Sequence, residues 1–167
     1  IYKYAAGLSN ATVDGVHCHI GSQIFETEPF CEAARVMMDF IAKIHDELNI
    51  DVKVLNLGGG FGIKYVCDDD PLTASEYIKN VSEAVKMSAK KHNLACPFLV
   101  FEPGRSIVAP AGITLYTVGG VKEIKDVRTY VSIDGGMGDN PRYILYGSKY
   151  SAVLANKANE KATEPVT

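Results

Sequence analysis

The sequence has no excess of positive charge. Seventeen Lys plus Arg stand against twenty Asp plus Glu, a net charge of −3 over 167 residues, so no basic field exists to hold a phosphodiester backbone or an anionic lipid surface. Long apolar runs are missing as well, since none approaches the ~20 residues that a bilayer span needs. Residues 1–20 lack the basic, apolar, small-residue order of a signal peptide, and the expectation is a soluble, cytoplasmic protein without nucleic-acid or membrane partners. Cysteine is sparse. Cys18, Cys31, Cys67 and Cys96 lie 13, 36 and 29 positions apart, which matches no CxxC or zinc-ribbon spacing and reads as free thiols in a reducing compartment. What is present suits one globular domain or a piece of something larger, with 47% apolar and 22% charged residues. A closed (β/α)8 barrel needs ~250 residues, and this length supplies two-thirds of that.

Hydrophobic spacing divides the chain into elements. Over residues 12–20, Val16, Cys18 and Ile20 alternate with His17 and His19, the period of a strand with two unlike faces, and Gly21-Ser22 ends it. Over residues 29–48 apolar positions recur at three and four (Phe30, Ala33, Met37, Ile41, Ile44, Leu48), predicting an amphipathic helix capped by Thr27. Residues 51–57 read as a second strand that runs into Gly58-Gly59-Gly60-Phe61-Gly62. An acidic loop at Asp68, Asp69 and Asp70 precedes Thr73-Ala74-Ser75-Glu76, a capping box. It opens a helix with Tyr77, Ile78, Val81 and Val85 on one face and an end near His92-Asn93. Residues 97–101 form a third strand, nearly all apolar as when both faces are covered, ending at Glu102-Pro103-Gly104-Arg105. Strand, helix, strand, helix, strand implies an α/β class with parallel strands. After Arg105, residues 113–118, 120–124 and 128–133 are β-rich runs too closely spaced for crossover helices, suggesting antiparallel strands of a second layer or domain. A polar, Gly-rich loop from Asp134 leads to a helical turn at residues 142–146, and residues 155–167 read as a frayed or linker-like end.

Three successive strands end in polar or glycine-rich clusters: His19 to Gln23, Gly58 to Gly62, and Glu102 to Arg105. In parallel α/β architectures that edge is where ligands sit. Consecutive glycines permit positive φ and let amide N–H groups converge on an anion such as phosphate; a tight turn without a ligand is the plain alternative. Neither the dinucleotide nor the P-loop fingerprint fits, because position 63 is Ile. Glu102 and Arg105 are either a surface ion pair or divide their duties, the carboxylate holding a protonated ring nitrogen and the guanidinium a phosphate or carboxylate. His19 beside Ser22 either bonds within the fold or stacks on a flat cofactor while the hydroxyl meets a phosphate. His17-x-His19 has no acidic residue at ligand spacing, and no metal is expected.

Taken together, His17-Cys18-His19-Ile20-Gly21-Ser22-Gln23, Leu57-Gly58-Gly59-Gly60-Phe61-Gly62, Phe101-Glu102-Pro103-Gly104-Arg105 and Asp134-Gly135-Gly136-Met137 with Asn140-Pro141-Arg142 and Leu145-Tyr146 resemble the diaminopimelate decarboxylase family in order and spacing. The glycine loop and the Glu-Pro-Gly-Arg motif are similar to the wider pyridoxal-phosphate decarboxylases of the alanine-racemase-like barrel fold. The resemblance implies part of a (β/α)8 TIM-type barrel over residues 1–110 and the start of an antiparallel β-domain over 111–167, with a specificity segment at 134–146. It implies pyridoxal 5'-phosphate as cofactor, with His19 stacking on its ring and Ser22, Gly58, Gly59 and Gly60 holding its phosphate. Gly104 and Arg105 would lie beside it and Glu102 would pair with the pyridine nitrogen, so that His19 and Glu102 are the catalytic residues expected in the chain. Arg105 would also meet a substrate carboxylate. Arg142 and Tyr146 would read the far end of an amino-acid substrate, where a planar guanidinium suits the second carboxylate of a diacid. The implied reaction is decarboxylation of meso-2,6-diaminopimelate to L-lysine by a homodimer. The family's cofactor-bearing lysine precedes the histidine motif and its Cys-Glu motif follows the position of Thr167, so the chain is expected to be an internal segment, inactive alone. Decarboxylation of ornithine, arginine or carboxynorspermidine on the same fold, or a non-catalytic cofactor-binding module, are the alternatives.

Overall fold

Two helices with well-marked apolar stripes organise the first part of the chain. The computed structural model describes residues 1–161 and Val166; of the expected frayed end, 162–165 and 167 lie outside the described residues. The chain divides into two units, Ile1–Lys64 with Asp69–Ala111, and Tyr65–Asp68 with Gly112–Thr167.

In the first unit β1 (Gly15–His17), β2 (Val54–Asn56) and β3 (Phe98–Val100) lie side by side in that order, all parallel. The α/β reading with a parallel sheet is thus correct, but each strand is shorter than its apolar pattern. Ladder bonding extends one step further, through Cys18 N–H to the Asn56 carbonyl at 3.0 Å and Leu57 N–H to the Val100 carbonyl at 3.1 Å. Gly58, with φ of 66°, then turns the chain away. A short α1 (Tyr2–Ala5) precedes β1, and α2 (Glu28–Leu48) and α3 (Ala74–Lys91) connect the strands.

One face of the sheet is packed by these helices. Val16 and Leu55, in register with each other and with Leu99, join Phe30, Ala34, Met38 and Ile41 of α2 and Tyr77, Val81 and Val85 of α3 in one core. Burying a side chain such as Leu55 completely contributes ~1.5–3 kcal/mol. Phe61 stacks on Tyr77 with ring centroids 4.7 Å apart, and Phe30 meets both edge-on. The expected stripes hold at Phe30, Ile41 and Ile44 of α2 and at Tyr77, Val81 and Val85 of α3, but Ala34 and Met38 are buried where Ala33 and Met37 were expected, and Ile78 is exposed. Phe98 is 73% exposed, so among the described residues β3 is covered on one face only, against the expectation of two.

The starts of the two long helices differ. Thr73 accepts the Glu76 N–H at 3.3 Å while Glu76 accepts the Thr73 N–H at 2.8 Å, completing the capping box. Thr27 does occupy the N-cap of α2, but its hydroxyl accepts from Asn80 of α3 at 3.2 Å and caps nothing. Asp39 of α2 binds His92 Nε2 at 2.6 Å and Lys91 Nζ at 3.1 Å, tying the two helices together.

In the second unit β4 (Val118–Ile124) and β5 (Arg128–Ile133) form an antiparallel ribbon. Residues 113–118 add no separate strand, because β4 begins at Val118 and absorbs the 120–124 run across a register shift between Val118 and Val121. Asp134 accepts the Thr117 N–H at 2.7 Å, which holds its carboxyl below the usual range and closes the open end of the ribbon. The helical turn expected at residues 142–146 is present as α5 (Arg142–Tyr146), ended by Gly147 at φ 63°.

Candidate active site

The carboxyl ends of the three parallel strands are fastened to one another backbone to backbone. Gly60 has φ of 105°, a region open to glycine, and a Cβ there would strike the Gly21 carbonyl. A Cβ on Gly59 would strike the Glu102 carbonyl, and one on Gly58 would stand 2.8 Å from His19 Nδ1. So the glycine run serves close approach of three loops as well as turning. Ile24 N–H donates to the Gly60 carbonyl at 3.0 Å, and Gly62 N–H to the Ile24 carbonyl at 2.9 Å. Gln23 donates to the Ile63 carbonyl at 2.6 Å and accepts the Ile63 N–H at 3.2 Å. After all these bonds, the amides of Gly59, which is buried, and Gly60 carry no hydrogen bond among the described residues. An unpartnered buried N–H is costly, and two neighbouring ones at a loop suit an anion.

A carboxylate completes this edge. His17, Asn56 and Val100 are in register across the sheet, and Glu102 lies two residues beyond Val100, hence on the same side by the strand period. Asn56 Nδ2 donates to Glu102 Oε1 at 2.8 Å, and His17 Nε2 lies 3.7 Å from Glu102 Oε2. The same Asn56 accepts the Gly58 N–H through Oδ1 at 2.8 Å. Glu102 is 58% exposed in its side chain, so the carboxylate is anchored through Oε1 while reachable from solvent. Arg105 opens α4 (Arg105–Val108) and is half-buried; Gly104 precedes it with open space around its α-carbon. His19 and Ser22 are exposed at the end of β1.

Of the residues expected at the site, His19, Ser22, Gly58, Gly59, Gly60, Glu102, Gly104 and Arg105 belong to the first unit and Arg142 and Tyr146 to the second. Arg142 and Tyr146, four apart on α5, share one helix face and are exposed. The hydrogen bonds by which Asn56 and Gln23 fasten this edge escaped the sequence reading. The signal for Asn56 was a polar residue in an otherwise apolar strand end, one residue before three glycines.

Comparison with known sequences gives a family. The pyridoxal binding domain of the pyridoxal-dependent decarboxylases matches residues 1–109. The chain belongs to this family. It is 51% identical over 153 residues to the diaminopimelate decarboxylase of Bacillus methanolicus, and 50% to that of Bacillus subtilis, covering 92% of this chain and 35% of each relative. It therefore spans about a third of the length of the curated relatives it matches. Among solved structures it resembles diaminopimelate decarboxylase from M. jannaschii in co-complex with L-lysine, with a TM-score of 0.77 and 38% identity over 89% of this chain and 33% of that one.

The strand edge fits the cofactor the family is named for. Unpartnered amides at Gly59 and Gly60 offer donors to a phosphate, and no Cβ intrudes between the loops. Glu102, acceptor-only when ionised, offers the complementary partner to a protonated pyridine nitrogen.

Proposed function

We propose that the chain is part of a pyridoxal-phosphate-dependent decarboxylase that converts meso-2,6-diaminopimelate to L-lysine and carbon dioxide. The observation that carries this reading is the pairing, on one strand edge, of unpartnered Gly59 and Gly60 amides with a Glu102 carboxylate fastened by Asn56. The substrate follows from the names of the relatives. In this reading Gly58, Gly59, Gly60 and Ser22 hold the phosphate, with Gly104 and Arg105 alongside. His19 covers the ring face, and Arg105 also receives a substrate carboxylate. Glu102 accepts a hydrogen bond from the ring N–H and keeps the nitrogen protonated, because a carboxylate beside it favours the charged form. Bound there, the pyridoxal ring supplies an electron sink for the pair left behind when carbon dioxide departs. Arg142, with Tyr146 on the same face of α5, grips the distal carboxylate that diaminopimelate has and ornithine or lysine lacks. A barrel continuing the parallel sheet, a β-domain continuing the ribbon, a homodimer and a cytoplasmic location belong to the same proposal and rest on the family resemblance.

The test is a substrate panel on the complete gene product with pyridoxal phosphate: meso-diaminopimelate, ornithine, arginine, carboxynorspermidine and lysine, with carbon dioxide and amine products followed together. The expected result is L-lysine formed one for one with carbon dioxide, and kcat/KM for diaminopimelate roughly a hundredfold or more above every other substrate. Comparable turnover of one of the other four would transfer the assignment to that substrate, and cofactor binding without any turnover would favour a non-catalytic module.

A further inference from the structure

We infer that Asn56 is a positioning residue that aims the Glu102 carboxylate at the cofactor ring and joins it mechanically to the phosphate-binding glycine loop. The inference rests on the proposed cofactor reading and goes beyond it, because Asn56 touches neither phosphate nor ring in that scheme. The side chain has two ends with opposite requirements. Gly58 N–H can only donate, so Oδ1 must face it; the ionised Glu102 carboxylate can only accept, so Nδ2 must face it. The two contacts, both 2.8 Å, therefore fix the amide orientation without reference to any other group. Asn56 itself is held on β2 between His17 of β1 and Val100 of β3, so its Cβ is set by the sheet rather than by a loop.

The geometry has a chemical consequence. Nδ2 occupies Oε1 of Glu102, and the imidazole of His17 stands 3.7 Å from Oε2, too far for a hydrogen bond. One oxygen is thus tied down and the other keeps its acceptor capacity for a ring nitrogen. Without Nδ2, a side chain more than half exposed would sample several rotamers, and its carboxylate would spend less time where the ring nitrogen is. Gly58, whose N–H is fastened to the other end of the same amide, immediately precedes the free amides of Gly59 and Gly60. A single residue therefore sets the relation between the two ends of a bound pyridoxal phosphate.

The test separates positioning from turn-capping by changing the cofactor. Equilibrium dialysis of the complete gene product measures binding of pyridoxal phosphate and of its 1-deaza analogue, in which the ring nitrogen is replaced by CH and the phosphate is unchanged. The variants are Asn56→Ser, whose shorter hydroxyl can still accept from Gly58 N–H but does not span to Glu102, Asn56→Ala, and Glu102→Gln as the measure of full loss. The wild type is expected to prefer pyridoxal phosphate by roughly 10- to 100-fold, the worth of a hydrogen bond to a charged group. Asn56→Ser is expected to lose most of that preference while binding the deaza analogue within about threefold of wild type, as Glu102→Gln does; Asn56→Ala is expected to lose the preference and weaken both ligands. Equal weakening of both ligands by Asn56→Ser, or a preserved preference in it, would overturn the inference. A wild type that binds both ligands equally would instead overturn the pairing of Glu102 with the ring nitrogen, and the inference with it.

Discussion

Replacing Gly59 by alanine tests whether the glycine run exists for close packing of strand ends. Gly59 is not among the residues with positive φ, so alanine meets no backbone penalty, and the whole effect comes from its methyl group. That methyl would overlap the Glu102 carbonyl oxygen and lie 3.0 Å from its carbon and 3.7 Å from Pro103 Cα. The obstacle is backbone, held against β2 by the Glu102 N–H to Gly58 carbonyl bond at 2.8 Å, so it has no rotamer to swing into. Relief requires the ends of β2 and β3 to separate. Overpacking costs about 1–3 kcal/mol and the strained hydrogen bond about 1 more, against a gain of about 0.4–1 from stiffening the unfolded chain, leaving a net loss of about 1–3.5 kcal/mol. Equilibrium urea unfolding of the complete gene product reads this directly, and pyridoxal phosphate affinity is expected to fall with it because Glu102 is displaced. Gly104→Ala is the control: nothing lies within 4 Å of its added Cβ, so its stability should stay within about 0.5 kcal/mol of wild type. Gly59→Ala matching Gly104→Ala in stability would refute the packing argument.

Tyr77→Phe removes a hydroxyl that donates to the Ile24 carbonyl at 2.7 Å, but that carbonyl keeps the Gly62 N–H at 2.9 Å. The expected cost by urea unfolding is therefore only about 1 kcal/mol, and a loss above about 3 would show that the carbonyl is left stranded. Asp39 has its carboxyl held below the usual range by the hydrogen bond to His92 and then that to Lys91. A depressed folded value stabilises the fold above the unfolded value near pH 4 and is lost as pH falls through the folded one. With Asp39 55% exposed the gain is below about 1 kcal/mol, so wild type and Asp39→Asn should differ slightly at neutral pH and converge as the pH falls through the lowered folded value; a gap constant with pH would contradict the assignment. Arg142→Ala is expected to raise KM for diaminopimelate by roughly tenfold or more, with little rescue by Arg142→Lys, since a point charge does not replace a planar fork; unchanged KM would remove Arg142 from the substrate site.

The elements most legible in the sequence were those written in local chemistry. The capping box at Thr73 and Glu76 placed the start of α3 correctly because both partners lie within one turn. The stripes of α2 and α3 were right except at Ala33, Met37 and Ile78, for an equally local reason. Ala33-Ala34, Met37-Met38 and Tyr77-Ile78 are pairs of adjacent apolar residues, and spacing alone does not tell which of each pair the sheet covers. The strand edge carrying His19, Gly58 to Gly60 and Glu102 could be read because three strands in succession end in polar residues, and parallel strands bring those ends together. The pairings of Asn56 and Gln23 could not be read in this way. Their partners lie 46 and 40 residues distant, at Glu102 and Ile63, and only the folded sheet brings them within hydrogen-bonding reach. Thr27 illustrates the converse, a residue at the right local position whose hydroxyl is taken by Asn80 from another helix.

The most direct test is a crystal structure of the complete gene product grown with pyridoxal phosphate. The account predicts the phosphate within hydrogen-bonding distance of the Gly59 and Gly60 amides, and the ring nitrogen on the Glu102 oxygen that Asn56 leaves open. A phosphate bound elsewhere, or a ring nitrogen facing a group other than Glu102, would contradict it.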